Sequence, residues 1–152
     1  NLSQKISHFG FSLLILSILL NSFFSSEVTT NLKIGEKISF EKGIITFLST
    51  ESKKYKNYQS IVGYFKVEDN KKKSIILKPE LRIYDQPFTI TSEADIKTTL
   101  YSDKFLVMNS VKGNEYFNIR YQIKPFMVWI WISTLLMALG GTYSLFRKNY
   151  EK

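Results

Sequence analysis

The chain has 152 residues, a formal net charge of +8 at pH 7, one histidine and no cysteine. The lack of cysteine excludes disulfides and thiolate metal sites. The lysines are spread along the chain between acidic residues, and the one tight cluster, Lys71–Lys73, follows Asp69 and Asn70 as in a solvated turn. The positive charge therefore predicts a solvated surface and no nucleic-acid partner.

The first apolar segment, residues 6–26, contains no charged side chain. Its length of about 21 residues meets the roughly 20 that a helix needs to cross the hydrocarbon core of a bilayer. A secretory signal peptide is the alternative, because Lys5 precedes the apolar run and Ser25 and Ser26 end it. A single lysine is a weak basic region for such a peptide, so we expect a transmembrane helix.

Residues 27–124 form a polar, lysine-rich region that is long enough for one small domain. Short segments that alternate apolar and polar residues predict roughly six to eight strands and no long helix. The clearest alternation is in the last strand, whose apolar face holds Phe117, Ile119, Tyr121 and Ile123. We therefore expect a small antiparallel all-β domain, either a sandwich or a barrel.

Three local patterns interrupt these strands. Residues 49–58 contain two adjacent lysines and show no periodicity, which predicts a loop. The run Ser92-Glu93-Ala94-Asp95 has the form of a helix capping box, and it predicts one short helical turn through residues 96–100. The run Lys112-Gly113-Asn114 predicts a hairpin turn before the last strand.

The second apolar segment, residues 125–146, is also free of charge. Its length of about 22 residues predicts a second transmembrane helix. Trp129 and Trp131 lie at its start, where indole rings favour the headgroup level of a bilayer. The sequence therefore predicts a domain between two membrane spans, so that both ends of the chain lie on the same side.

Basic residues flank the two predicted spans on that shared side. Lys5 precedes the first span, and Arg147 and Lys148 follow the second. Short basic flanks favour the cytoplasmic side of a bacterial inner membrane, or the matrix side of a mitochondrial one. We therefore expect the tail 147–152 on that side and the β domain 27–124 in the periplasm or the intermembrane space.

Small residues recur along the second predicted helix at spacings of four. Such residues let another helix approach closely, and adjacent glycines weaken a helix unless a neighbour fills the groove. The alternative is that they are generic small residues in a lipid-facing helix. The pattern favours packing in a larger bundle through Thr134, Ala138, Gly140, Gly141, Thr142 and Ser144.

His8 is the only histidine, and it lies near the start of the first apolar segment. An imidazole at membrane depth is costly and is therefore a candidate for haem or metal ligation or for proton transfer. A hydrogen-bonded structural histidine at the membrane surface is the alternative that the residues alone favour. No cysteine, second histidine, glycine-rich phosphate loop or serine with a nearby base is visible, so we predict no catalytic residue.

Several blocks of the chain carry motifs in a fixed order. Ser7-His8-Phe9-Gly10 lies in the first apolar segment. Lys78-Pro79-Glu80-Leu81-Arg82-Ile83-Tyr84 and Ser92-Glu93-Ala94-Asp95-Ile96 lie in the β region. Ile123-Lys124-Pro125-Phe126 leads through the tryptophans to Leu136-Met137-Ala138-Leu139-Gly140-Gly141. In order and spacing these blocks resemble the C-terminal part of the CcmF-type cytochrome c haem lyase subunits, whose tryptophan-rich haem-handling motif has no counterpart here.

The resemblance implies a part in attaching haem to apocytochrome c within a polytopic membrane protein. It implies a haem b inside the membrane bundle, with His8 as one axial ligand of the iron and the second histidine upstream of this chain. The implied partners are a haem chaperone, apocytochrome c, other transmembrane helices of the same lyase and the lipid bilayer. By this resemblance the chain belongs to an enzyme complex but lacks a complete active site of its own.

Two other functions compete with this one. The chain could be a non-enzymatic, two-helix membrane protein whose β domain acts as an assembly or partner-binding factor, without haem. It could also be a basic module that binds an anionic polymer or lipid headgroups. The dispersed lysines disfavour the last function, because such binding needs a concentrated positive patch.

Overall fold

A computed structural model describes residues 2–111 and 115–150, the side chains of 147–150 excepted. Along the described residues an N-terminal helix is followed by ten strands, more than the six to eight predicted, and a second helix. Their bounds are α1 Leu2–Phe24, β1 Ser26–Leu32, β2 Lys37–Phe40, β3 Gly43–Lys54, β4 Tyr58–Asp69, β5 Ser74–Leu77, β6 Glu80–Asp85, β7 Phe88–Glu93, β8 Asp95–Thr98, β9 Ser102–Ser110, β10 Phe117–Pro125 and α2 Met127–Tyr150.

The chain divides into two compact units. The helical unit comprises residues 1–26, 98–103 and 123–152, and therefore contains both helices and the turn between β8 and β9. The β unit comprises residues 27–97 and 104–122.

Both helices are long and apolar enough to cross a membrane, with mean hydropathies of 1.7 over Leu2–Phe24 and 1.4 over Met127–Phe146. The first helix ends at Phe24, two residues before the end of the span that we predicted. At this end the Asn21 carbonyl oxygen accepts from both the Ser25 backbone N–H at 3.0 Å and the Ser25 hydroxyl at 2.6 Å. The next residue, Ser26, begins β1.

The strands form two sheets. One has the order β1-β10-β9-β8, and the other has the order β2-β3-β4-β6-β7 with β5 also paired to β4. The strand pairs of the second sheet are antiparallel. This confirms the predicted antiparallel β architecture and resolves the choice between a sandwich and a barrel in favour of the sandwich.

The core of the β unit lies between the two sheets. Phe47 on β3 stacks on Phe65 on β4 with ring centroids 4.2 Å apart, and its edge meets the ring of Phe117 on β10 at 5.5 Å. Edge-to-face and offset contacts of this kind add to the gain from apolar burial. The buried apolar side chains are Leu32, Ile45, Phe47, Phe65, Val67, Leu77, Leu81, Leu106, Met108, Ile119 and Tyr121.

The alternation predicted for the last strand is confirmed. Ile119 and Tyr121 are fully buried, whereas Arg120 between them is exposed. The Arg120 side chain donates to both carboxylate oxygens of Glu27 at 2.6 and 3.0 Å. One face of β10 therefore forms part of the core, and the other carries polar bonds at the surface.

The predicted loop at residues 49–58 is wrong over most of its length. Strand β3 continues to Lys54 and pairs with β4 from Ser49 opposite Tyr64 to Lys54 opposite Gln59. A register shift between Phe47 and Ser49 separates this outer part from the core part of the strand. The outer part is polar on both faces, so it pairs through its backbone and shows no apolar period that the sequence could reveal.

The predicted helical turn after Ser92 is also wrong, because Ser92 lies in β7 and residues 95–98 form β8. The Asp95 carboxylate accepts a hydrogen bond from the Lys78 backbone N–H at 2.6 Å instead of capping a helix. The Ser92 hydroxyl donates to the Asn109 side chain. The predicted hairpin turn Lys112-Gly113-Asn114 lies outside the described residues.

Candidate functional site

The two helices meet along a line of small residues, which we call the seam. On α1 the buried residues are Ser3, Gly10 and Ser17, which recur every seventh residue. On α2 they are Ser133 and Gly140, also seven apart. A seven-residue repeat keeps one face of a helix against its neighbour, as in a coiled coil. The seam therefore sets which face of α1 meets α2.

The helix backbones approach closely at the two glycines of the seam. A Cβ atom added at Gly10 would lie 3.0 Å from the Ser133 carbonyl oxygen. A Cβ atom added at Gly140 would lie 2.3 Å from the Ser7 hydroxyl oxygen and 2.9 Å from the Ser7 backbone nitrogen. Close backbone approach through small residues is how helices associate where lipid removes the hydrophobic driving force.

Hydroxyl groups at the seam have hydrogen-bond partners. The Ser3 hydroxyl crosses the seam and donates to the Gly140 carbonyl oxygen at 2.9 Å. Ser17 and Ser133 donate within their own helices, to the carbonyl oxygens of Leu13 at 2.7 Å and Trp129 at 2.6 Å. Satisfied hydroxyls are compatible with a bilayer core, where an unpaired polar group costs several kcal/mol.

His8 lies on α1 with its side chain exposed. At about 100° of rotation per residue, it is about 160° around the helix from Gly10, and therefore nearly opposite the seam. Phe11 and Ile15, three and seven residues further along, share its face and are exposed as well. The face of α1 away from α2 thus combines one imidazole with the apolar side chains of Phe11 and Ile15 and the polar ones of Lys5 and Ser12.

The predicted packing residues of α2 fall into two groups. Gly140 lies in the seam, buried against α1. The others are exposed in the described structure, and a Cβ added at Gly141 would meet no atom within 4 Å. Contact with further helices stays a prediction for this exposed group, which comprises Thr134, Ala138, Gly141, Thr142 and Ser144.

A second cluster of bonds, which we call the junction, joins the segments at the start of α2. The Asn21 side chain on α1 donates to the Pro125 carbonyl oxygen at 2.6 Å. The Phe126 backbone N–H donates to the Tyr101 carbonyl oxygen at 3.0 Å, and the Trp129 indole N–H donates to the Leu100 carbonyl oxygen at 3.0 Å. The junction thus connects both helices and the turn between β8 and β9 within the helical unit.

The junction includes a residue in an unusual conformation. Phe126 has a positive φ of 60° and is not glycine. This left-handed conformation costs an ordinary residue roughly 1 kcal/mol or more, and it persists only where surrounding bonds hold it. Two backbone hydrogen bonds hold it. Its N–H donates to the Tyr101 carbonyl oxygen, and its carbonyl oxygen accepts from the Trp129 backbone N–H at 3.1 Å. It turns the chain from β10 into α2.

The charged groups of the β unit form surface pairs. Hydrogen bonding to Arg82 lowers the pKa of the Glu80 carboxyl, with a smaller contribution from Ser60, although partial burial opposes the shift. Hydrogen bonding to Glu27 raises the pKa of the Arg120 guanidinium. Across residues 2–111 and 115–150 the structure contains no group of three His, Cys, Asp or Glu side chains that could hold a metal ion.

The sequence analysis does not predict two parts of this arrangement. One is the α1 side of the seam, which the seven-residue spacing of Ser3, Gly10 and Ser17 could have indicated. The other is the pair Leu100 and Tyr101 at the junction. No local signal marks them, because their position depends on bonds to residues 29 and 25 positions further along the chain.

Residues 23–125 match the family model described as the CcmF C-terminal beta-sandwich. The protein named cytochrome c-type biogenesis protein CcmF of Pseudomonas aeruginosa is 28% identical over 150 residues, covering 97% of this chain and 22% of that protein. The protein named cytochrome c-type biogenesis protein ccl1 of Rhodobacter capsulatus is 33% identical over 119 residues, covering 78% of this chain and 18% of that protein.

The CcmF protein of Escherichia coli K12 is 27% identical over 146 residues, covering 96% of this chain and 23% of that protein. The chain therefore spans about a fifth of the length of these curated relatives. The solved structure of a protein named cytochrome c heme lyase CcmF superposes with a TM-score of 0.70 at 20% identity, covering 93% of this chain and 24% of that one. At this identity the superposition shows a shared fold.

Proposed function

Because this chain belongs to the CcmF C-terminal β-sandwich family, we propose that it acts as the C-terminal part of a cytochrome c haem lyase subunit and that His8 ligates an intramembrane haem b. The family membership that the motif blocks predict is confirmed. The relatives' names attach them to cytochrome c-type biogenesis. The haem b, its ligand and the attachment of haem to apocytochrome c belong to the proposal.

The observation that carries the proposal is the position of His8 on the face of α1 away from the seam. An imidazole that ligates haem iron needs room for a porphyrin beside the helix. Because α2 covers the seam face, the His8 face is the one left to the remaining helices of a larger bundle. Phe11 and Ile15, which follow His8 on that face, are apolar and suit a porphyrin edge. The polar side chains of Lys5 and Ser12 share the face, so the fit rests on its apolar part.

The residues of this chain would have separate tasks around the haem b. When bound, the haem supplies one-electron chemistry. His8 would hold the iron through one ring nitrogen, and the seam holds α1 so that His8 faces away from α2. A second histidine ligand would have to come from outside this chain, since the chain contains one histidine.

The proposal also gives the β unit a place and partners. Helices α1 and α2 cross the membrane within residues 6–26 and 125–146, and the domain 27–124 faces the periplasm or the intermembrane space. This orientation rests on Lys5 before the first span and on Arg147 and Lys148 after residue 146. On that side the sandwich supports docking of the haem chaperone or of apocytochrome c, and the exposed small residues of α2 contact other helices of the lyase.

The test is the haem content of the intact protein with His8 replaced by alanine. The tagged protein is purified from its own membranes, and its reduced-minus-oxidised visible spectrum is recorded with the haem-to-protein ratio. We expect a b-type signal in the natural protein and its loss in His8→Ala, with partial recovery when imidazole is added to fill the vacated coordination position.

A matched control separates ligation from disturbance of the helix. Ser12 lies one turn from His8 on the same exposed face, so Ser12→Ala changes that face without removing an imidazole. Ser12→Ala should keep the b-type signal, and both variants should accumulate in the membrane like the natural protein. Full haem in His8→Ala would contradict the ligand assignment. A natural protein without any b-type haem would contradict the haem-binding function as a whole.

A further inference from the structure

The turn between β8 and β9 exposes two large side chains beside the start of α2. Leu100 is 62% exposed and Tyr101 is 76% exposed, although both carry large apolar surfaces. Residues 98–103 belong to the helical unit together with both helices. In this unit, which also holds both apolar helices, an exposed apolar pair is a candidate for contact with lipid.

The depth of these side chains relative to a bilayer follows from α2. The apolar span Met127–Phe146 has 20 residues, which at about 1.5 Å per residue make about 30 Å, the thickness of the hydrocarbon core. The first helical turn of α2 therefore lies at one surface of that core. Trp129, in this part of α2, donates its indole N–H to the Leu100 carbonyl oxygen at 3.0 Å, which holds Leu100 at the same level.

The backbone of the turn is suited to the boundary between lipid and water, because several of its N–H and carbonyl groups are paired within the helical unit. The Leu100 and Tyr101 carbonyl oxygens accept from Trp129 and Phe126. The Ser102 carbonyl oxygen accepts from the Thr99 N–H at 3.0 Å and from the Thr99 hydroxyl at 2.8 Å. The Ser102 N–H donates to the Thr99 hydroxyl oxygen at 3.0 Å.

Paired backbone groups are what irregular structure needs in order to enter a membrane. A water-exposed turn has no such need, because water satisfies its N–H and carbonyl groups. Tyr101 adds a second indication, since tyrosine and tryptophan favour the headgroup level, where the ring is in an apolar surrounding and its polar atom is hydrated. Tyr101, Trp129 and Trp131, all exposed, bring three such rings to the start of α2.

From the exposed apolar pair, its depth and its paired backbone, we propose that residues 98–103 form a membrane-interface turn whose Leu100 and Tyr101 side chains enter the boundary between lipid headgroups and acyl chains. The occupant of this surface is phospholipid. The turn thereby gives the helical unit a third attachment to the bilayer, besides the two spans. This inference depends on the membrane spans and not on haem.

The test measures the depth of a spin label in the intact protein reconstituted in phospholipid nanodiscs. The chain contains no cysteine, so a nitroxide can be placed at Leu100→Cys or Tyr101→Cys once any cysteine elsewhere in the intact protein is replaced. Both side chains are exposed, so the two substitutions remove little packing. The readout is the ratio of oxygen to water-soluble nickel-complex accessibility, which rises with depth in the bilayer.

Two reference positions calibrate that ratio. Leu135, 62% exposed in the middle of the α2 span, gives the value for acyl chains, and Lys56, an exposed charged residue outside the helical unit, gives the value for water. We expect the ratio at Leu100 and Tyr101 to be higher than at Lys56 and lower than at Leu135. In addition, the ratio should exceed the Lys56 value at both Leu100 and Tyr101, because the two residues lie in the same turn.

The other outcomes overturn the inference in recognisable ways. A ratio at the turn equal to that at Lys56 would place Leu100 and Tyr101 in water. Low accessibility to both reagents would mean that another protein segment covers them. If Leu135 itself showed the aqueous ratio, α2 would not span the bilayer, and the membrane orientation in the proposed function would fail together with the turn. Loss of haem without any change at the turn would affect the proposed function alone.

Discussion

Replacement of Gly140 and of its neighbour Gly141 by alanine gives a matched pair of perturbations. Both residues lie in α2, and both substitutions add one methyl group and the same helix propensity. Only Gly140 faces the seam: a Cβ there would lie 2.9 Å from the Ser7 backbone nitrogen and 3.0 Å from the Ser3 carbonyl oxygen. A Cβ at Gly141 would meet nothing within 4 Å.

The expected magnitude follows from these contacts. The nearest atom to the new Cβ at position 140, the Ser7 hydroxyl oxygen, can rotate away. The next two, the Ser7 nitrogen and the Ser3 carbonyl oxygen, belong to the α1 backbone, so the two helices must separate. Overpacking of this kind costs about 1–3 kcal/mol. Separation also stretches the bond from the Ser3 hydroxyl to the Gly140 carbonyl oxygen, now 2.9 Å long; such interhelical bonds contribute about 0.6 kcal/mol on average.

The gain in helix propensity, about 1 kcal/mol for glycine to alanine, applies to both positions and cancels in their comparison. Gly140→Ala should therefore be less stable than Gly141→Ala by about 1–3 kcal/mol. The assay is equilibrium unfolding of the intact protein in mixed micelles of rising SDS fraction, followed by far-UV circular dichroism. A difference within about 0.5 kcal/mol, the usual error of such comparisons, would refute the close approach of the helices at Gly140.

Two further predictions concern the β unit. Glu80→Gln should lower stability at neutral pH by about 0.5–1 kcal/mol, because it removes the charged partner of Arg82 in a pair that solvent partly screens. The pKa of Glu80 is lowered in the folded protein from its ordinary value of 4.5. The contribution of Glu80 to the free energy of unfolding is therefore present above pH 4.5 and is lost as the pH falls through the lowered pKa. The two proteins should therefore differ in thermal unfolding at pH 7 and converge in strong acid, and a difference that persists there would contradict the pairing. Tyr121→Phe should leave stability unchanged or raise it by up to about 1–2 kcal/mol, because it removes a buried hydroxyl that has no hydrogen-bond partner among the described residues. Thermal unfolding measures this as well, and a clear destabilisation would mean that the hydroxyl is bonded.

The sequence predicts the β architecture where one face of a strand is buried. In β10 the burial of Ile119 and Tyr121 imposes a period of two on the apolar residues, which is visible without a structure. The outer part of β3, residues 49–54, has no buried face. Its pairing with β4 comes from backbone hydrogen bonds and from polar side-chain bonds such as Tyr64 to Glu51, which leave no apolar period in the sequence.

The candidate site depends on rotation about a helix axis, which composition does not determine. The spacing of small residues identifies α2 as a packing helix, but Gly140 and Gly141 are equivalent in that pattern. A single residue turns the side-chain direction by about 100°, and this decides that Gly140 meets α1 while Gly141 does not. The seven-residue repeat of Ser3, Gly10 and Ser17 is the signal that selects the matching face of α1.

The same seam connects helix packing to the proposed haem site. Gly10 and His8 are two residues apart on α1 and lie on nearly opposite faces, so any rotation of α1 in the seam turns His8 by the same angle. If the seam positions His8, Gly140→Ala should weaken haem retention without touching the ligand, and Gly141→Ala should not. Loss of haem in His8→Ala alone, with full haem in a destabilised Gly140→Ala, would instead mean that the haem holds α1 in place and that the seam contributes stability only.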